Sequence, residues 1–110
     1  MSNREYLGEF EQVVMLALAR LGDGANGVTI HQEILETTGR DVSIPAVYVT
    51  LKRLEKKGLV SARVVASPEG GRAKRAYTLR AEGKRALSRS RAMMERLWKG
   101  AGIRVGGASR

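Results

Sequence analysis

The chain has 110 residues, a formal net charge of +9 and no cysteine. That length holds one small domain with a single core, and the missing thiols exclude disulfides and cysteine-based metal sites as its staple. Oligomerisation is the remaining common device for a chain this small.

The longest apolar run, Val13–Ala19, is far too short to span a bilayer. The N-terminal MSNREYLGEFE carries acids and no signal-peptide core, so a cytoplasmic protein without membrane insertion is expected. The charge is polarised along the chain. Residues 1–41 hold three Arg against seven Asp/Glu, whereas residues 42–110 hold seventeen Lys/Arg against four Glu. A basic half of this kind suits a polyanion, either nucleic acid or an anionic membrane. No enzyme constellation is present: there is one His, no Ser-His-acid set, no carboxylate pair in an apolar setting and no phosphate loop. His31 has no second ligand at metal spacing, so it is expected at a polar surface position, with no metal or cofactor.

In chain order, residues 1–7 read as a flexible polar arm. Gly8–Leu21 reads as a helix that is apolar on more than one face, through Phe10, Val13, Val14, Leu16, Ala17, Leu18 and Leu21. Such a helix is buried between other elements, and Phe10 and Val14 are candidates for packing on a second subunit. GDGANG at 22–27 is a turn cluster; it lacks the preceding strand and following Lys-Ser/Thr of a nucleotide fingerprint. Thr29 is the expected N-cap of a second helix over Ile30–Thr38, which Gly39 closes.

The stretch Val42–Gly58, VSIPAVYVTLKRLEKKG, has a start signal, a stop signal and two faces. Ser43 is the expected cap, Pro45 sits in the first turn and Gly58 ends the helix. Val47, Leu51 and Leu54 form the inward stripe. The outward face carries Pro45, Ala46, Tyr48, Val49, Lys52, Arg53 and Lys56, and suits either a DNA groove or a solvated basic surface.

Beyond Gly58 the period becomes extended. Leu59–Ala66 and Ala73–Leu79 read as two strands of a hairpin, joined by the Pro- and Gly-bearing turn Ser67–Arg72. Tyr77 and Leu79 alternate in the return strand. Arg80–Lys99 reads as a last helix, basic on most faces, with a near-heptad seam at Leu87, Met94 and Leu97 or Trp98. Gly100–Arg110 reads as a flexible basic tail. The fold class is therefore α+β, mainly α. It is a winged helix-turn-helix of three helices and a two-stranded wing over 8–79, followed by a dimerisation helix over 80–100.

LGEF at 7–10, VYVTLKRLEKKGLV at 47–60 and GGRAKRAYTL at 70–79 followed by Gly83 resemble the PadR family of bacterial transcriptional regulators. The resemblance covers about residues 7–87, and the single trailing helix is similar to the family's short branch. It implies a homodimeric regulator, a repressor rather than an activator, bound to a palindromic double-stranded DNA operator. The helix over 43–57 would enter the major groove and the wing over 67–75 would meet the backbone or minor groove. Two positions depart from the family pattern: Asn26-Gly27 stands where Tyr-Gly is usual, and Arg80 where Thr caps the last helix. The latter implies either a helix start moved back to Thr78 or a capping loss of about 1 kcal/mol.

Phosphate contacts position a protein on DNA and base contacts specify sequence. Lys52, Arg53, Lys56, Arg72, Lys74 and Arg75 are the phosphate candidates; Arg72 has the further option of a narrow minor groove. Ser43, Pro45, Ala46, Tyr48 and Val49 are the base-edge candidates, with thymine methyls and DNA shape as the expected targets. Two alternatives stand beside these roles. The Tyr48 ring can instead pack under the wing, and Arg53 can pair with Glu55 or Glu69. Leu87, Met94, Leu97 and Trp98 are the seam of the dimer helix. By resemblance to the multidrug-responsive branch, Trp98 with Met94 would line an inter-subunit cavity for a small apolar or aromatic effector; packing of the seam is the simpler role. A protein-interaction module that sets its basic face on an acidic partner is the alternative function.

Overall fold

The computed structural model describes residues 6–66, 70–71 and 73–104. The expected arm over 1–5, the turn at 67–69, Arg72 and the tail over 105–110 lie outside the described residues. Among those described, the order is α1 (Glu9–Leu21), α2 (Gly27–Thr38), α3 (Ile44–Lys56), β1 (Val60–Val65), β2 (Lys74–Leu79) and α4 (Ala81–Lys99). The two strands pair antiparallel, from Val60 opposite Leu79 to Val65 opposite Lys74. This is the mainly helical α+β winged-helix order that the sequence predicts.

Local chemistry sets most boundaries. Ser43 caps α3 through its Oγ, which accepts the Ala46 N–H at 3.1 Å, and Pro45 follows in the first turn. α2 starts earlier than expected, at Gly27, because Asn26 and not Thr29 is its cap. Asn26 Oδ1 accepts the Thr29 N–H at 2.9 Å, while Thr29 Oγ1 accepts the Asn26 N–H at 3.0 Å. This reciprocal pair satisfies two donors that a helix start otherwise leaves open. At α4, Arg80 is the N-cap without a side-chain bond. The start does not move back to Thr78, which stays opposite Ser61 in the sheet. The capping loss is thus the outcome that holds.

The core lies where α1 meets α2, α3 and the sheet. Val14, Met15 and Leu18 of α1 meet Ile30 and Ile34 of α2, Val47, Leu51 and Leu54 of α3, and Val60 and Tyr77 of the sheet. Val47, Leu51 and Leu54 are 0% exposed, as the inward stripe requires. Each such side chain contributes about 1.5–3 kcal/mol by leaving water. Val14 is also 0% exposed, so it has no surface to offer a second subunit. This corrects its assignment to dimerisation: in a helix apolar on several faces, periodicity alone did not say which face turned inward.

The hairpin does not stand alone. The Tyr77 N–H donates to the Ala25 carbonyl at 2.8 Å and the Gly24 N–H to the Tyr77 carbonyl at 3.2 Å, so the α1–α2 turn borders β2. α4 touches the body mainly through small residues: Gly83, Ala86 and Ser90 are its buried positions. A Cβ at Gly83 would lie 2.4 Å from the Leu59 carbonyl oxygen. The chain's radius of gyration is 16.0 Å. A compact chain of about 100 residues would have roughly 13 Å.

Candidate nucleic-acid interface

The three inward residues of α3 leave its opposite face to solvent. Val49 is 58% exposed, and Lys52, Arg53 and Lys56 are exposed beyond it. Among the described residues none of these three cations forms a salt bridge. Arg53 feels Glu11 only through space. Its alternative partner Glu55 is engaged by Arg75 instead, and Glu69 lies outside the described residues. Ser43 and Pro45 are exposed at the start of the helix and Ala46 is half-buried.

Tyr48 does not pack under the wing. Its ring lies against Gly27 at the start of α2, where an added Cβ would sit 2.2 Å from Tyr48 Cζ. The ring fills the place of a side chain at position 27 and sets how closely α2 and α3 approach. The departure Asn26-Gly27 thus has a clear local role: Asn26 caps α2 and Gly27 seats Tyr48.

In the wing, strand alternation sorts the cations. Arg75 and Tyr77 share the face turned to the helices, and Lys74 with its cross-strand neighbours takes the other. Arg63 lies across from Ala76 on that second face, exposed and without an ion pair among the described residues. Arg63 is not among the residues expected to meet phosphate, although the strand alternation that places it is visible in the sequence. Arg75 is engaged within the chain. Its Nη2 donates to both Glu55 oxygens at 3.0 and 3.1 Å, and its Nε to the Tyr77 hydroxyl at 3.3 Å. Its guanidinium carbon lies 5.9 Å from the Tyr77 ring centre. The bonds to Tyr77 and Glu55 hold its pKa above the ordinary value.

Two further contacts fix α3. Lys57 Nζ donates to Glu11 Oε2 at 2.9 Å, and Glu11 Oε1 accepts the Gly8 N–H at 2.9 Å. Burial alone would raise the Glu11 carboxyl. The Lys57 bond, the Gly8 N–H and the charges of Lys57 and Arg53 outweigh it and hold the carboxyl below its ordinary value. At the other end, His31 Nε2 lies 2.7 Å from the Val42 carbonyl. That carbonyl only accepts, so Nε2–H is the donor. His31 is half-buried and ties α2 to the segment before α3, rather than standing free at the surface.

On the far side of α1, a groove of about 600 Å³ separates α1 from α4, lined by Gln12, Leu16, Leu87, Met94 and Trp98 among others. Met94, Leu97 and Trp98 are 45%, 64% and 48% exposed; Phe10 and Leu87 are half-buried against the core. A second apolar groove, about 490 Å³, lies between α1 and α2 and away from the basic face. Among the described residues no His, Cys, Asp and Glu side chains cluster in a way that would hold a metal. No described helix is long and apolar enough to cross a membrane.

A family model described as "Transcriptional regulator PadR-like family" matches residues 15–89. The chain belongs to the PadR-like family. Among solved structures, a PadR family regulator from Eggerthella lenta is 26% identical, with 86% of this chain and 83% of that one covered and a TM-score of 0.69. A PadR-like transcription factor from Bacteroides fragilis is 26% identical over 84% of this PadR-like chain and 85% of the other, with a TM-score of 0.71. Bacillus subtilis PadR, solved in complex with operator DNA, shares the fold at 19% identity and a TM-score of 0.66. That alignment covers 86% of this chain and 60% of the Bacillus protein. Curated protein sequences give no match. The family is one of transcriptional regulators.

Proposed function

We propose that this PadR-like chain is a homodimeric repressor that binds a palindromic operator. In this reading α3 enters the major groove, with Ser43, Pro45, Ala46, Tyr48 and Val49 nearest the base edges. Lys52, Arg53 and Lys56 meet phosphates, and the wing meets the backbone or minor groove through Arg63, Arg72 and Lys74. The observation that carries it is the asymmetry of charge pairing around α3. Glu11 and Glu55 are each held by a cation of the same chain, while Lys52, Arg53 and Lys56 have no salt bridge among the described residues. A face with unspent positive charge suits a regular polyanion. The Bacillus subtilis relative, solved in complex with operator DNA, supports DNA as the partner.

The dimer is expected to form through α4 and the outer side of α1. Supporting it are the large apolar side chains of Met94, Leu97 and Trp98, which the chain's own core does not use. The groove beside Trp98 is the place for a flat apolar effector, stacked on that ring. Selection from a random pool of duplexes tests the DNA reading. The protein should enrich an inverted repeat with half-sites roughly 34–36 Å apart, one helical turn. Affinity for that repeat should fall a thousandfold or more between about 50 and 200 mM salt. No enriched sequence, together with capture of acidic proteins, would replace operator binding with the interaction-module reading. Deleting the gene should raise transcription from the selected promoter; a fall would make the protein an activator.

A further inference from the structure

Arg75 has the residue type and wing position of a DNA contact, yet its geometry serves another purpose. Its strand neighbour on the same face, Tyr77, is fixed on three sides. Tyr77 is buried, lies opposite Ala62 in the hairpin, and exchanges backbone hydrogen bonds with Ala25 and Gly24 of the α1–α2 turn. Arg75 leans on this ring, and its Nε donates to the hydroxyl. It then reaches out to both oxygens of Glu55, in the last turn of α3. Glu55 is the sole acid in α3.

We infer that Arg75 and Glu55 are positioning residues: their ion pair latches the wing to the end of α3 and sets the spacing of the two DNA-contacting elements. The inference rests on the DNA-binding reading above. It assigns Glu55 a purpose that its charge alone opposes, since an unpaired carboxylate at that place would repel phosphate. It also removes Arg75 from the phosphate contacts. A guanidinium already shared between a carboxylate and a phenol releases few counterions when DNA arrives. Among the described residues, the wing's other cations, Arg63 and Lys74, lie on the opposite face without an ion pair.

The two roles give opposite signs in one experiment. The probe is the duplex that the wild-type protein selects from a random pool. Glu55→Gln makes the protein more positive by one charge, so plain electrostatics would tighten binding. The latch predicts the reverse, a loss of about fivefold, in the range of a partly exposed ion pair. Unchanged or tighter binding by Glu55→Gln overturns the inference. Arg75→Gln should weaken binding by a similar factor with no change in the slope of log affinity against log salt. A slope lower by about 0.9 per subunit would make Arg75 a phosphate contact and overturn it.

Exchange of the pair supplies the rescue. Glu55→Arg combined with Arg75→Glu restores the net charge and the ion pair, and should bind within about twofold of wild type. A double variant no better than Arg75→Glu alone overturns the latch. Amide hydrogen exchange separates this failure from failure of the DNA reading. Glu55→Gln should speed exchange in β1 and β2 around Arg75 while α1 is unaffected. If wild type selects no duplex but this acceleration is seen, the DNA reading falls and the latch stands; unaltered exchange in the wing overturns the latch itself.

Discussion

α3 and α4 are both amphipathic and both basic, yet they dispose of their apolar faces in opposite ways. α3 buries Val47, Leu51 and Leu54 completely in its own chain and shows solvent a face of cations that form no salt bridge among the described residues. α4 buries only Gly83, Ala86 and Ser90, and leaves Met94, Leu97 and Trp98 in solvent. A helix whose apolar face is used within the chain offers its polar side to a partner. A helix whose large apolar residues remain unused asks for another apolar surface. The contrast teaches that net charge alone does not distinguish two basic helices; what the opposite face of each is already doing separates them.

Truncating one leucine on each helix should separate them most. Leu51→Ala removes a fully buried side chain and should cost about 3 kcal/mol of stability, read from denaturant midpoints. Leu97→Ala, at a residue 64% exposed, should leave monomer stability within about 0.5 kcal/mol. Its effect should appear instead in light scattering, as a weakened dimer. Equal losses of stability in the two variants would break the contrast.

The next largest effect is expected where α4 joins the body. Gly83→Ala places a Cβ against the backbone oxygen of Leu59, which has no flexible side chain to move aside. The helix must shift, at about 1–3 kcal/mol. Unfolding followed by Trp98 fluorescence and by far-ultraviolet dichroism should show it. No loss of stability would mean that α4 is free to ride away from β1.

A smaller effect belongs to the α3 side. Glu11 is held below its ordinary pKa of 4.5, so it contributes stability at neutral pH that is lost as pH falls through the folded value. The window therefore lies on the acid side of 4.5. Glu11→Gln should cost about 1–2 kcal/mol at neutral pH and flatten the acid limb of the stability curve. An acid limb as steep as that of wild type would show that the Glu11–Lys57 bond contributes little.

Much of this was legible in the sequence, for reasons that differ by residue. The α3 stripe was clear because three apolar residues repeat at helical spacing between a Ser cap and a Gly. The hairpin was clear from its change of period. α2 was misplaced at its start because Asn26 lies within a glycine-rich cluster that reads as turn throughout. Val14 was assigned outward because α1 is apolar on several faces, and only the packed neighbours choose among them. Glu11 and Lys57 are separated by 46 residues, so no local pattern joins them. Arg75 is the instructive case. The alternation that sends Tyr77 inward also places Arg75 on that face, where it meets Glu55, a partner 20 residues away that no local pattern joins to it.

The direct test of the central claim is the salt dependence of DNA binding by wild type and by Lys52→Ala combined with Lys56→Ala. Stability should be unchanged, because both side chains are exposed and form no salt bridge among the described residues. The slope of log affinity against log salt should become shallower by about 1.8 for each subunit, two phosphate contacts at roughly 0.9 apiece. An unchanged slope in a folded variant would contradict the account, because the unspent charge of α3 would then not be what meets the DNA.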